Sequence, residues 1–272
     1  MVSIATFLTP LLFWGVLLAN GCLLWGNDPF TRDTTFSSWN IIAGPWGEDS
    51  LSYDDDPCGS GEKTIRIFYK NGSYSKTAFR GTAFYSKSLF PGRNCVRLGF
   101  DVYFEPGFDF VRGGKLPGIW GGSTSCSGGR NATDCFSTRF VWRAHGDGEV
   151  YAYIPDNQAD DFCTSPDIRC NFNFGHSIGR AKWRYPVGQW FRIEQEVKLN
   201  DAPQRNGYVK VWLDGVLKQE TSGLLYRNGD NVKIDGIVFS TFFGGSDESW
   251  ASTADTYTYF KNFQLSTCGV NP

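Results

Sequence analysis

The stretch GGKLPGIWGG, residues 113 to 122, sets Lys115 among five glycines, with a Leu-Pro step and then Trp120 on its C-terminal side. Glycine weakens a strand and costs conformational entropy on folding, so so bare a backbone around one cation needs an offsetting reason. A second run of polar groups follows in STRFVWRAHGDGEVYAYIP, Ser137 to Pro155. Ala144 to Gly148 has turn composition, and the runs on either side alternate, so they pair as a hairpin around a loop of about five residues. The expected apolar pairs are Phe140 with Ala152, Trp142 with Val150 and Thr138 with Ile154. Strand parity then puts Ser137, Arg139, Arg143, Tyr151 and Tyr153 on the other face, with Arg143 opposite Glu149 and Arg139 opposite Tyr153. Two guanidiniums and two phenols on one face can neutralise an anion and move a proton. The same face also fits a plain half-buried surface with one cross-strand ion pair.

The elements that would position these groups are strands. From about Thr35 onward, short alternating runs are separated by turn residues, and no helical period of useful length occurs. CVRLGFDVYF aligns Val96, Leu98, Phe100, Val102 and Phe104 on one face. WFRIEQEVKL sets Phe191, Ile193, Val197 and Leu199 against a charged stripe of Arg192, Glu194, Glu196 and Lys198, which reads as a solvated outer face. YVKVWLDGVLKQE is two strands around a turn at Asp214-Gly215, and TYTYFKNFQL is a last strand. The fold class expected is all-β: a single-domain antiparallel β-sandwich of jelly-roll type over residues 27–272.

Residues 1–26 read as a signal peptide, or else an uncleaved anchor, with small residues at Ala19-Asn20-Gly21. A secreted, oxidising location follows. Cys126 with Cys135 and Cys163 with Cys170 are close enough to staple local loops, while two of Cys58, Cys95 and Cys268 pair and one is left over. Zinc is the competing use of these cysteines, but no Cys-x-x-Cys pair occurs and the chain has 2 histidines. His145 reads as a turn residue. The sequons at Asn71 and Asn131 are glycosylation acceptors in a suitable host. Asp54-Asp55-Asp56 reads as a solvated acidic loop before calcium is invoked. With 26 basic and 28 acidic side chains, the net charge of -2 excludes a broad cationic grip on nucleic acid. Any anionic partner must be held by a local cluster.

The glycine-lysine run, followed at this spacing by STRFVWR and EVYAYIP, resembles polysaccharide lyase family 14, the alginate and glucuronan lyases. GRAKWRYPVGQWFRIEQEVKLN and DTYTYFKNFQL resemble that family's later strands, so the similarity runs over residues 80 to 265 or so. The resemblance implies a jelly roll with a groove across its concave sheet, acting as a secreted monomer on an anionic polysaccharide, without a metal or cofactor. It implies Lys115, Arg139, Tyr151 and Tyr153 as catalytic residues and Ser137 as a positioning group. Arg143, Trp120, Arg180 and Trp183 are further candidate groove contacts. The glycines would then let a polysaccharide come close to Lys115, with Pro117 fixing the exit of the segment.

β-Elimination on a uronate makes three demands. The carboxylate must be neutralised, a task for Arg139 or Lys115, while a base removes the C5 proton and an acid protonates the departing O4. A tyrosine serves as base if a nearby cation lowers its pKa from about 10. Lys115 serves instead if cationic neighbours lower its own, and the residues leave both versions open. Two rivals remain: a non-catalytic carbohydrate-binding module, and a glycoside hydrolase using Glu194 and Glu196 as its carboxylate pair.

Overall fold

The computed structural model describes the backbone of residues 23–26 and residues 39–88 and 91–269. In chain order the strands are β1 (Leu23–Gly26), β2 (Ile41–Trp46), β3 (Leu51–Asp55), β4 (Lys63–Tyr69), β5 (Thr82–Lys87), β6 (Cys95–Phe104), β7 (Gly113–Gly122) and β8 (Cys135–Arg143). They continue as β9 (Gly148–Tyr153), β10 (Ile168–Arg169), β11 (His176–Ile178), β12 (Trp190–Lys198), β13 (Gly207–Leu213), β14 (Val216–Leu224), β15 (Gly236–Phe243) and β16 (Thr256–Thr267). One sheet runs β14-β13-β12-β6-β16-β4-β3, with β1 also against β16; the other runs β10-β11-β9-β8-β7-β15-β5-β2. The chain crosses between the two sheets repeatedly, which is the jelly-roll sandwich. Of the expected signal segment, residues 1–22 lie outside the described residues, and 23–26 pair with Gln264 to Ser266.

Alternation builds the core. Val96, Leu98, Phe100, Val102 and Phe104 from β6 meet Leu116, Ile119, Phe136, Phe140, Trp142 and Val150 from the second sheet, all essentially buried. Rings interlock there, with Phe100 stacked on Phe263 at 4.8 Å and Trp142 edge-on to Phe243 at 5.4 Å. Each large ring buried this way contributes about 1.5–3 kcal/mol. The Asp214-Gly215 turn forms as expected, both residues having positive φ and joining Leu213 to Val216.

Three disulfides close the fold: Cys95–Cys268, Cys126–Cys135 and Cys163–Cys170. They take six cysteines away from the zinc reading and leave Cys58 as the free, exposed thiol among the described residues. The three aspartates are not a merely solvated loop. Asp54 pairs with Arg66 and Asp55 with Lys63, while buried Asp56 accepts from Lys261 at 2.7 Å and Trp190 at 2.9 Å.

The charged stripe of β12 also differs from expectation. Glu194 and Glu196 are 5% and 7% exposed. Arg97 and Arg192 bind Glu194, and the Tyr208 hydroxyl donates to Glu196 at 2.8 Å. Arg97 in turn lies flat on Trp212 at 3.9 Å, so long side chains roof the stripe that alternation alone would leave in water.

A cationic cleft across the second sheet

The β8–β9 hairpin has the expected faces but a register two residues tighter. Phe140 pairs with Val150, Thr138 with Ala152, Arg139 with Tyr151 and Ser137 with Tyr153. His145 and Gly146 take positive φ, and Arg143 N–H bonds the Asp147 carbonyl at 2.7 Å, so the turn after Arg143 closes at Asp147, two residues before the expected Glu149. Gly148 must start β9 there, because the Trp183 indole occupies the place of its Cβ. A shift of two preserves parity. Glu149 therefore sits opposite Val141, and Arg143 reaches it diagonally.

Strand pairing lines up one row across the whole sheet: Ala43, Tyr85, Val238, Gly118, Arg139, Tyr151, Ser177 and Arg169. A cleft of about 1020 Å³ lies along this row on the face away from the core. Lys115 enters it from β7 one bulge away from Gly118. The register slips between Lys115 and Gly118 against both β8 and β15, which sends Leu116 into the core while keeping Lys115 and Gly118 on the cleft face.

The glycines of β7 make room for the protein's own packing, and Gly113 and Gly114 also line the cleft. A Cβ on Gly114 would lie 2.0 Å from the Trp142 ring, and one on Gly118 would lie 1.9 Å from the Thr138 carbonyl oxygen. Neighbouring strands and an indole fill the space that the bare backbone leaves.

Lys115 Nζ stands 3.8 Å from the centre of the Tyr151 ring, and Tyr153 packs edge-on to Tyr151 at 5.7 Å. Burial, then Arg143 and Arg139, hold the Lys115 ammonium well below its usual pKa, with Glu149 acting weakly the other way. Burial, then Tyr153, pushes the Tyr151 phenol up to about 12, although the Gly175 backbone N–H and Arg143 oppose this. Burial raises Tyr153 too, against Arg139 and the backbone N–H groups of Gly129 and Gly128. The expectation of a phenol pulled down by its cations is thus reversed, because desolvation outweighs the charges.

Arg139 donates to the Cys126 carbonyl at 3.2 Å, and Ser137 Oγ donates to the same oxygen at 2.9 Å. These bonds fasten the Cys126–Cys135 loop over the start of β8, where Ser127 and Gly128 of the loop, with Thr124 just before it, form one wall of the cleft. Ser137 is fully buried under that loop and does not line the cleft. Trp120 shares the face but is 2% exposed, with Nε1 donating to Ser86 O at 3.1 Å and its ring edge-on to Tyr85. Trp183 is a core residue against Gly148 and Phe140. Neither tryptophan has a free face for a sugar ring. Arg143 and Arg180 do line the cleft, both bound to Glu149.

Other lining residues had no distinctive sequence signal: Trp46, Lys76, Arg169, Phe174, Ser177 and Trp250. Ser177 pairs with Tyr151, so placing β11 beside β9 would have found it by parity. Lys76, Lys115, Arg139, Arg143, Arg169 and Arg180 all line the cleft, and among the described residues no Asp or Glu does. That excludes a carboxylate pair of the hydrolase kind in the cleft; Glu194 and Glu196 belong to the other sheet.

A jelly-roll sandwich carrying an all-cationic open cleft, with an amine and a phenol in contact at its floor, defines a protein built to handle a long anion. The sequence profile described as polysaccharide lyase 14 matches residues 58–263, and the chain belongs to that family and is a polysaccharide lyase. Among solved structures, a PL-14 alginate lyase from Aplysia kurodai is 37% identical, with 92% of this chain and 100% of that one covered and a TM-score of 0.83. An alginate lyase from a Chlorella virus shares the fold at 23% identity, with 84% and 100% covered and a TM-score of 0.67. An endo-β-1,4-glucuronan lyase from Trichoderma reesei shares it at 10% identity, with 92% and 98% covered and a TM-score of 0.58. No curated protein matches the chain.

Proposed function

We propose that the protein cleaves alginate within the chain by β-elimination, with Lys115 as base and Tyr151 as acid. The carrying observation is Lys115 Nζ resting 3.8 Å over the Tyr151 ring in a cleft whose charged lining side chains, among the described residues, are all cations. The uronate carboxylate would lie against Arg139 and Arg143, whose fixed charge lowers the energy of the carbanion-like transition state. Uncharged Lys115 takes the C5 proton, and the electrons of that C–H bond form the C4–C5 double bond. The C4–O4 bond breaks, and the Tyr151 hydroxyl gives its proton to the leaving oxygen. The Lys115 ammonium can then return a proton to the phenolate beside it, restoring both groups. Tyr153, gripped by the Gly128–Gly129 backbone, shapes the pocket beside Tyr151.

Internal cleavage follows from the row of residues that crosses all eight strands. At about 4.8 Å per strand the floor extends roughly 34 Å, with β7 near its middle, so a polymer has room on both sides of Lys115. Alginate is favoured over glucuronan because the relative above 30% identity acts on alginate.

Elimination is read as the ultraviolet absorbance of the conjugated unsaturated uronate, which neither a hydrolase nor a lectin produces. The wild type should generate it from alginate with a rapid fall in viscosity. Lys115→Ala and Tyr151→Phe should each lose at least about 10²-fold in kcat while remaining folded. Full rate in either variant would remove that residue from the mechanism, and no absorbance from any polyuronate would end the lyase reading.

A further inference from the structure

Glu149 is an acidic side chain drawn into the cleft's polar network through Arg143, Arg180 and Ser177, and the reaction above does not use it. It is fully buried on the cleft face, roofed by the side chains that bind it. Arg143 donates to Oε1 through Nε at 2.9 Å and through a terminal nitrogen at 2.5 Å. Arg180 Nε and Ser177 Oγ each donate to Oε2 at 2.5 Å. Both oxygens are therefore saturated by separate partners, which come from β8, from β11 and from the turn after β11.

We propose that Glu149 is a positioning residue of the cleft: its buried carboxylate sets the angles of Arg143 and Arg180 and is the counter-charge in the same cross-strand row as Lys115, with Val141 between them. Two guanidiniums facing one cleft repel each other, and a lone Arg143 has several rotamers; binding opposite oxygens of one carboxylate fixes both. The partners explain why the group stays ionised. Burial alone would raise its pKa, but Arg143, Arg180 and Ser177 hold it below the usual carboxylate value. Around Lys115 stand Arg143 and Arg139 from β8 and Glu149 and Tyr151 from β9; the two guanidiniums disfavour the ammonium form and Glu149 favours it.

Glu149→Gln keeps the shape but offers one oxygen and one NH2, so one guanidinium would face a donor. The kinetic part of this role rests on the lyase reading; the titration of Lys115 does not. Lysine labelled with 13C lets that titration be followed directly by NMR. In Glu149→Gln it should fall by about one pH unit, and KM for alginate should rise about tenfold. Glu149→Asp keeps the charge but not the reach, so the titration should stay near wild type while KM rises. A folded Glu149→Gln with wild-type titration and KM overturns the proposal.

If Glu149→Gln fails to fold, Ser177→Ala removes one bond without changing charge and should raise KM about threefold, with Lys115 titrating as before. Wild-type KM in both Ser177→Ala and Glu149→Asp would then overturn it. A wild type that eliminates nothing would defeat the lyase reading, and the NMR titration would still decide the part played by Glu149.

Discussion

Lys115 and Tyr151 touch, yet their surroundings push their proton affinities apart. Desolvation disfavours the charged form of each, so it lowers an amine and raises a phenol. Arg143 and Arg139 pull the phenols down too, but burial outweighs them there, whereas at the lysine, whose charge has the same sign as theirs, they add to burial. In the mechanism proposed above, these directions favour an uncharged Lys115 as base beside a protonated Tyr151 as acid, the pairing that one-step elimination needs. The sign of the pH dependence follows. Activity requires uncharged Lys115, so kcat/KM should rise with pH through a value well below the ordinary lysine pKa of about 10.4. It requires protonated Tyr151, so the free enzyme should lose activity only as pH approaches about 12. The measurement is kcat/KM against pH at constant ionic strength. A rate that begins to rise only above about pH 10 would mean that Lys115 is not lowered and would overturn its assignment as a neutral base.

At the scale of elements, β7 delivers the lysine, and its glycines are the reason it can lie between β8 and β15. Gly114→Ala would force a methyl group into the Trp142 indole, with the Phe242 carbonyl oxygen only 2.5 Å from the new carbon on the other side. Overpacking of this kind should cost about 2–3 kcal/mol, read as a lower denaturant midpoint at unchanged slope. An unchanged midpoint would return the glycines to a role in admitting substrate. Sequence carried the strands well, because alternation at Val96 to Phe104 and at Phe140 to Val150 is a local property. It carried the cleft face as well, since parity survives a two-residue slip in the β8–β9 hairpin. The slip itself was hidden, because it depends on Trp183 packing over Gly148 from more than thirty residues away. The burial of Ser137, Trp120 and Trp183 was hidden for the same reason. Each shares a face or motif with the site, and only tertiary neighbours such as the Cys126–Cys135 loop and Tyr85 decide that they are covered.

Over the whole molecule, charge is distributed so as to select the partner. The chain carries a net charge of -2, yet among the described residues six cations and no carboxylate line the cleft. Along the cleft a polyanion meets charged side chains of one sign, from β7, β8, β10 and the adjoining loops. Such a field draws in a charged chain from solution and weakens as salt shortens the Debye length from about 30 Å at 0.01 M to about 10 Å at 0.1 M. The reacting groups themselves are half-buried or buried and are screened much less. Added salt should therefore act on binding before chemistry. Between about 0.05 and 0.5 M sodium chloride, KM for alginate should rise at least about fivefold while kcat stays within about twofold. Alginate whose carboxylates have been reduced to alcohols should compete poorly at any salt concentration, since it lacks the charge that the cleft reads. A KM that ignores ionic strength would mean that shape and stacking, through Trp46, Phe174 and Trp250, hold the polymer and that the cations serve only the bond being broken.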